Sequence, residues 1–247
     1  MTGRPVILTT GSAMNLPDWV PYVVWPALVI GYVTWYVWSR REHRAYVLRL
    51  AKERGWEYRT RDRSVGRYTE RPFDKSNAKR RHILTGEYRG RRICVFELTY
   101  PEKTELSDRF RDANDGFLRN RVTCLVAAVT HDLPIPTMSV ERIGLFTKIN
   151  RFLGLPDKAT GIEEFDNRFE IHTARDTDLS TVFDADLCRW MLDDKRARQL
   201  PLRIERGDVV TWELGKINAE KIDTYLDYLC DFLDHCPVRA DGTVDHG

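Results

Sequence analysis

Residues 20–38 read VPYVVWPALVIGYVTWYVW, nineteen residues without a charge. How this run is read decides the architecture of everything around it. A helix of that length rises about 28 Å at about 1.5 Å per residue, close to the thickness of a bilayer's hydrocarbon core. Trp19, Tyr22 and Trp25 cluster near one end, and Trp35, Tyr36 and Trp38 near the other. Such rings suit the two lipid–water interfaces, where an apolar body carries a polar edge. The expectation is a transmembrane helix over 20–38, with those six aromatic residues as its interface anchors. A cleaved signal peptide fits poorly, because only Arg4 precedes the run as a basic residue and the run ends in Trp38-Ser39-Arg40-Arg41. Within it, Pro26 predicts a kink. Ala27, Gly31 and Thr34 share one helical face, along which a second copy could approach in a weak homo-oligomer.

The flanks set an orientation. Arg40, Arg41 and Arg44 follow the run, against the single Arg4 before it. A positive-inside bias places the N-terminus outside and the large C-terminal part in the cytoplasm, as a single-pass protein of the cell membrane. The same three arginines are candidate contacts to anionic lipid, with the bilayer as a partner. Cys94, Cys124, Cys188, Cys230 and Cys236 are odd in number and lack a framework spacing, as reduced thiols would be. The organisation expected is a short extracytoplasmic tail over 1–19, the span over 20–38, a basic juxtamembrane helix over 39–55 stopped by Gly55, an α+β domain over 56–237, and a tail over 238–247.

The net charge of +2 hides an uneven distribution. Residues 39–92 carry 18 Lys and Arg against 7 Asp and Glu, whereas residues 93–247 carry 20 against 29. The basic part reads as a short strand at Trp56 to Tyr58 followed by an irregular surface segment. His82 to Tyr88 and Arg92 to Tyr100 then alternate around Gly90 as a hairpin. Val122 to Val129, Thr137 to Ile143 and Arg168 to Thr173 read as strands. Leu202 to Arg206 and Val209 to Leu214 form a second hairpin on Gly207-Asp208. Asp184 and Asn218 are helix caps, the second ahead of a stripe of Ile222, Tyr225, Leu226, Leu229, Phe232 and Leu233. The fold class expected is α+β: the transmembrane helix, then a mainly antiparallel sheet with helices on one face.

Chemistry is hard to find. Phosphate loops, H-E-x-x-H, C-x-x-C and G-x-S-x-G are absent from the sequence. Cys230, His235 and Cys236 lack a fourth ligand and a zinc spacing. His131-Asp132 sits where a turn is expected, between a strand and Leu133-Pro134. Asp176, Asp178 and Ser180 begin like a calcium loop, but Thr181 and Leu187 stand where Gly and Glu are needed. No catalytic residue, metal or cofactor is expected. Lys79-Arg80-Arg81 with Arg89, Arg91 and Arg92 form a basic stretch, read first as a solvated hairpin and second as a lipid contact. Nucleic-acid binding wants aromatics on the same face, and Tyr88 beside Arg89 falls short of that. Leu145 to Leu155 forms an apolar stripe read first as packing on the sheet and second as a basic amphipathic helix at a membrane interface. Pro101 to Asn120 is charge-rich and holds the Asn114-Asp115-Gly116 turn signal.

Several stretches together carry a resemblance: Leu50-Ala51-Lys52-Glu53-Arg54-Gly55-Trp56, Arg71-Pro72-Phe73, Leu84-Thr85-Gly86-Glu87-Tyr88-Arg89-Gly90-Arg91, Glu164 to Phe169, and Pro201 to Glu205. Over most of residues 45 to 235 the chain resembles a group of actinobacterial membrane-anchored proteins that carry a domain of unknown function. The resemblance implies a topology and a fold and transfers no catalytic residue. The function expected is a membrane-anchored, non-catalytic cytoplasmic interaction domain, an adaptor or scaffold with a protein partner. The alternatives are a membrane-tethered enzyme with dispersed site residues, or a sensor of anionic lipid.

Overall fold

The computed structural model describes residues 20–69, 72–73, 77–101, 121–143, 157–174 and 176–238. Trp19, the tails at 1–19 and 239–247, the charged stretch over 102–120 and the stripe at Leu145 to Leu155 lie outside the described residues. The chain divides into two compact units, Met1–Tyr46 and Val47–Gly247.

The first unit holds most of helix α1 (Val20–Arg54). Among the described residues no helix is long and apolar enough to cross a membrane. This finding corrects the transmembrane reading of 20–38. With it go the single-pass localisation, the outside placement of the N-terminus and the cytoplasmic placement of the rest. The fold class is corrected at the same point, since among the described residues the helix that precedes the sheet is not long and apolar enough to cross a membrane. The physical reason is that a charge-free run need not be strongly apolar. Tyr, Trp, Pro, Gly and Thr fill ten of the nineteen positions, and their polar atoms or small apolar surface weaken any transfer into hydrocarbon. The helix then continues without a break into Arg40, Arg41 and Arg44.

In the second unit, α1 ends in a Schellman motif. Gly55 has φ +68°, its N–H donates to Lys52 O, and the Trp56 N–H donates to Ala51 O at 2.8 Å. The indole of Trp56 then joins Val47, Leu50 and Ala51 in the core. Among the described residues, nine strands form one antiparallel sheet in the order β1-β2-β3-β4-β9-β8-β5-β7-β6. They are β1 (Glu57–Arg59), β2 (Lys79–Tyr88), β3 (Arg91–Pro101), β4 (Arg121–Thr130), β5 (Met138–Arg142), β6 (Asp157–Lys158), β7 (Phe169–Thr173), β8 (Leu202–Glu205) and β9 (Asp208–Leu214). Helices α2 (Glu163–Asp166), α3 (Ala185–Asp193) and α4 (Ala219–His235) are also described in this unit. The Asp184 carboxylate caps α3 by accepting from Leu187 N at 2.8 Å. The Asn218 side chain does the same for α4, from Glu220 N at 2.9 Å.

One face of the sheet packs on the helices. Leu84, Val95, Leu125, Val209 and Ile171 alternate inward and meet Phe165 of α2, Leu187 and Met191 of α3, and the full apolar stripe of α4. The opposite face carries a second core of Phe96, Leu98, Val126, Val210 and Trp212. Tyr68 and Phe73 cover it, with Phe73 packed edge-on against both Tyr68 (5.0 Å between ring centroids) and Trp212 (5.3 Å). Part of the basic stretch read as a surface segment is thus the cover of a core. Its two buried rings outweigh the surrounding charge.

Trp56 lies flat on Gly86. A Cβ added there would come within 2.3 Å of the indole Cδ1, and the ring is held by Nε1 donating to Glu87 O at 3.1 Å. Gly86→Ala is expected to lower stability by about 1–3 kcal/mol through overpacking, read as a fall in Tm. Gly31→Ala, where nothing lies within 4 Å, serves as the matched control and should leave Tm unchanged or slightly raised. A normal Tm for Gly86→Ala would show that the Trp56 contact is not tight.

Candidate functional site

Five of the six aromatic residues singled out in the sequence lie on α1, and Trp19 falls outside the described residues. Tyr22 is 80 % exposed and Trp25 68 %, and Trp35, Tyr36 and Trp38 are exposed as well. Leu28, Val29, Ile30, Tyr32 and Val33 are also open, so the apolar exposure runs around the helix. Local order comes from the helical spacing of three and four residues. Tyr32 stacks on Tyr36 at 6.3 Å and tilts against Trp35 at 6.2 Å, and the Arg40 guanidinium sits 4.5 Å above the Tyr36 ring. Arg41 and Arg44 are exposed beyond it. Ala27, Gly31 and Thr34 are exposed, and the Thr34 hydroxyl donates back to Ile30 O along its own helix.

The basic hairpin is engaged in part, while Lys79, Arg89 and Arg92 keep solvent exposure. The turn at Arg89-Gly90 has φ +50° and +75°, the left-handed pair that a type I′ turn requires. From it, Arg89 reaches Asp231 (2.6 Å) and Asp234 (2.7 Å) on α4, and Arg91 reaches Asp234 (2.7 Å). Asp227, which accepts from the Tyr88 hydroxyl at 2.9 Å, shares that helical face at spacings of four and three. Arg196 bridges Asp194 (2.6 Å) and Asp231 (2.7 Å) from the loop after α3. Arg80 donates to Gly66 O at 2.9 Å. Burial raises the Asp231 carboxyl, but hydrogen bonds from Arg89 and Arg196 outweigh it and hold the group below its ordinary range.

A polar cluster invisible to motif searching lies on the other side of the sheet. Past β9, the second face changes from apolar to polar across β8, β5 and β7. Arg203, Ser139 and His172 stand in cross-strand register, with Glu205 and Glu141 one alternation along, and all five are buried. Arg203, 1 % exposed, donates Nε to Glu205 Oε2 at 2.9 Å. Glu205 also accepts from Thr69 N and Oγ1 at 3.1 and 2.9 Å, and Tyr68 donates to Asp208 at 3.0 Å. Ser139 and His172 are the residue types of a nucleophile and its base. Yet Ser139 is 1 % exposed, and among the described residues its hydroxyl makes no hydrogen bond, whereas activation needs one to the base. The cluster pins the cover segment onto the sheet.

The remaining candidates are structural. His131 occupies a turn, its N–H donating to Gly207 O at 2.8 Å and its Nδ1 accepting from Leu133 N at 3.2 Å. His235 stacks on Trp190 at 4.7 Å. Burial pushes the Cys94 and Cys188 thiols up to about 12 and raises those of Cys230 and Cys236, so their thiolates are suppressed at neutral pH.

Fold and site together define an antiparallel-sheet domain with an aromatic, arginine-flanked helix exposed in its other unit. No family model and no curated protein matches the sequence. Among solved structures, the crystal structure of the mycobacterial trehalose monomycolate transport factor A, TtfA, is similar at 14 % identity and a TM-score of 0.46, covering 80 % of this chain and 96 % of that chain. A likeness at that level carries no argument about this chain's fold or role.

Two outcomes follow from the buried and half-buried ion pairs. Arg203→Met, which leaves Glu205 charged and buried, is expected to destabilise by about 3–5 kcal/mol, and Arg203→Met with Glu205→Leu by clearly less, both measured by denaturant unfolding. Asp231→Asn should lower stability by about 1 kcal/mol at neutral pH. The Asp231 carboxyl is depressed in the fold, so its contribution is present above the unfolded-state pKa and is lost as pH falls through the folded one. The difference between wild type and Asp231→Asn should therefore vanish in acid. A difference constant with pH would show that the charge is not what the arginines hold.

Proposed function

We propose that this chain acts by binding another protein rather than by catalysis, with residues 22–44 of α1 as the surface the partner covers. The observation that carries this reading is the open run of large apolar side chains from Tyr22 to Trp38. Contiguous exposed apolar surface of this kind is the mark of an interaction site. Its composition also fits, since Trp, Tyr and Arg dominate the energetics of protein interfaces. The polar groups of the sheet domain, by contrast, are largely engaged with one another.

The partner that fits this surface is apolar and bordered by carboxylates that meet Arg40, Arg41 and Arg44. A second copy paired in parallel would bring those arginines against each other, a like-charge contact that disfavours self-association. We propose in addition that the resemblance over residues 45 to 235 reflects kinship with the actinobacterial group. It is supported by its motifs falling on defined corners, Leu84 to Arg91 at the β2–β3 turn and Glu164 to Phe169 at the start of β7.

Photo-crosslinkers placed in the full chain at Trp25 and Trp35 test the reading, with Glu57 on the sheet edge as control. The expected result is one saturable protein adduct from both α1 positions and none from the control. Binding of that purified partner should weaken roughly thirtyfold on Trp35→Ala, as expected of a hot-spot residue, and also on charge reversal of Arg40 and Arg41. Adducts only to lipid, only to a second copy, or none at all would overturn it.

A further inference from the structure

Three arginines of the second unit, none of them part of the proposed α1 surface, line one depression at the β5 and β7 strand ends. Arg142 closes β5, Arg168 immediately precedes β7, and Arg198 follows α3. With Phe169 and Leu192 they line a depression of about 160 Å³. The backbone fixes two of them: Arg142 stands opposite Phe169 in the ladder, and the Ile143 N–H donates to Arg168 O at 2.9 Å. Arg198 is fixed by its own side chain, donating Nε and Nη2 to Leu192 O at 3.2 and 2.8 Å. Phe169 and Leu192 are buried and form the floor.

Among the described residues the charge here is only partly balanced. The carbonyl that orients Arg198 is a dipole and leaves the guanidinium a full cation. Arg168 meets Glu164 at 3.2 Å, where both side chains are at least half exposed and the pairing is screened. Among the described residues Arg142 makes no ion pair, and no carboxylate lines the depression. Three cations lining one depression repel one another, and an anion bound among them relieves the repulsion. Guanidinium forks match tetrahedral oxyanions through paired N–H donors, and the surplus of cations over carboxylates suits a dianion.

We infer that this depression binds a phosphate monoester, its oxygens taken by Arg142, Arg168 and Arg198 and its organic substituent by Phe169 and Leu192. The monoester can belong to a soluble metabolite or to a lipid headgroup, and the test separates the two.

The full chain is titrated with phenyl phosphate and with inorganic phosphate by calorimetry, and with vesicles of phosphatidic acid or phosphatidylcholine by flotation. Expected are saturable one-site binding of phenyl phosphate, tighter than inorganic phosphate, and about tenfold weaker binding in Arg142→Gln and in Arg168→Gln. Arg142→Lys, which keeps the charge but loses the fork, should fall between. An unchanged melting curve for Arg142→Gln establishes that the variant is folded, so the loss belongs to the site. Flotation with phosphatidic acid that phenyl phosphate displaces supports the inference and assigns the lipid as the source; absence of flotation with retained phenyl phosphate binding assigns a soluble one. Non-saturable binding, affinity indifferent to both substitutions, or flotation that phenyl phosphate cannot displace would overturn it. None of these outcomes bears on the α1 surface, which uses other residues.

Discussion

A carboxylate buried at Glu205 must be paired, and the way it is paired organises the second face of the sheet. Removing a charge from water is costly unless partners in the protein replace the lost hydration. Arg203 from the same strand supplies one partner and Thr69 supplies two more donors from a segment 136 residues earlier. That contact, with Tyr68 on Asp208, sets the cover segment against the sheet so that Phe73 lands between Tyr68 and Trp212. The central strands β3, β4 and β9 are consequently buried on both sides. This explains why Val122 to Val129 reads as a continuous apolar run rather than an alternating one. On the helix side, the end of α1 is fixed by Trp56 on Gly86 and by the bidentate pairing of Arg54 with Asp223 of α4.

What could be read from the chain follows from how far apart the interacting residues lie in sequence. Both hairpins were legible because their turns are local: Gly90 and Gly207 take φ +75° and +76°, and the flanking alternation fixes the register. Helices α3 and α4 were legible for the same reason, since cap and stripe lie within one element. The cover segment was not, because two buried rings in a strongly basic stretch give no periodic signal. The row of Arg203, Ser139 and His172 was hidden as well, being assembled by strand pairing across 33 and 64 residues without any spacing in the sequence. The basic residues of the first hairpin misled in the other direction. Charge density alone suggested solvent or lipid, while their partners Asp227, Asp231 and Asp234 sit some 140 residues away on α4.

The run at 20–38 illustrates a different failure, one of category. Counting charges treats every neutral residue as equivalent, whereas partition into hydrocarbon depends on how much purely apolar surface each contributes. Indole and phenol rings are large, yet each carries a polar atom, and Pro, Gly and Thr add little apolar area. The same composition has a second consequence. Rings that combine a broad apolar face with one polar edge lose little conformational entropy when covered and offer a hydrogen bond at the rim, which is what a protein interface favours. The feature that weakens the run as a membrane-crossing helix is therefore the feature that suits it to a protein surface. Arg40, stacked on Tyr36 at 4.5 Å, places a charge at the border of that exposed surface.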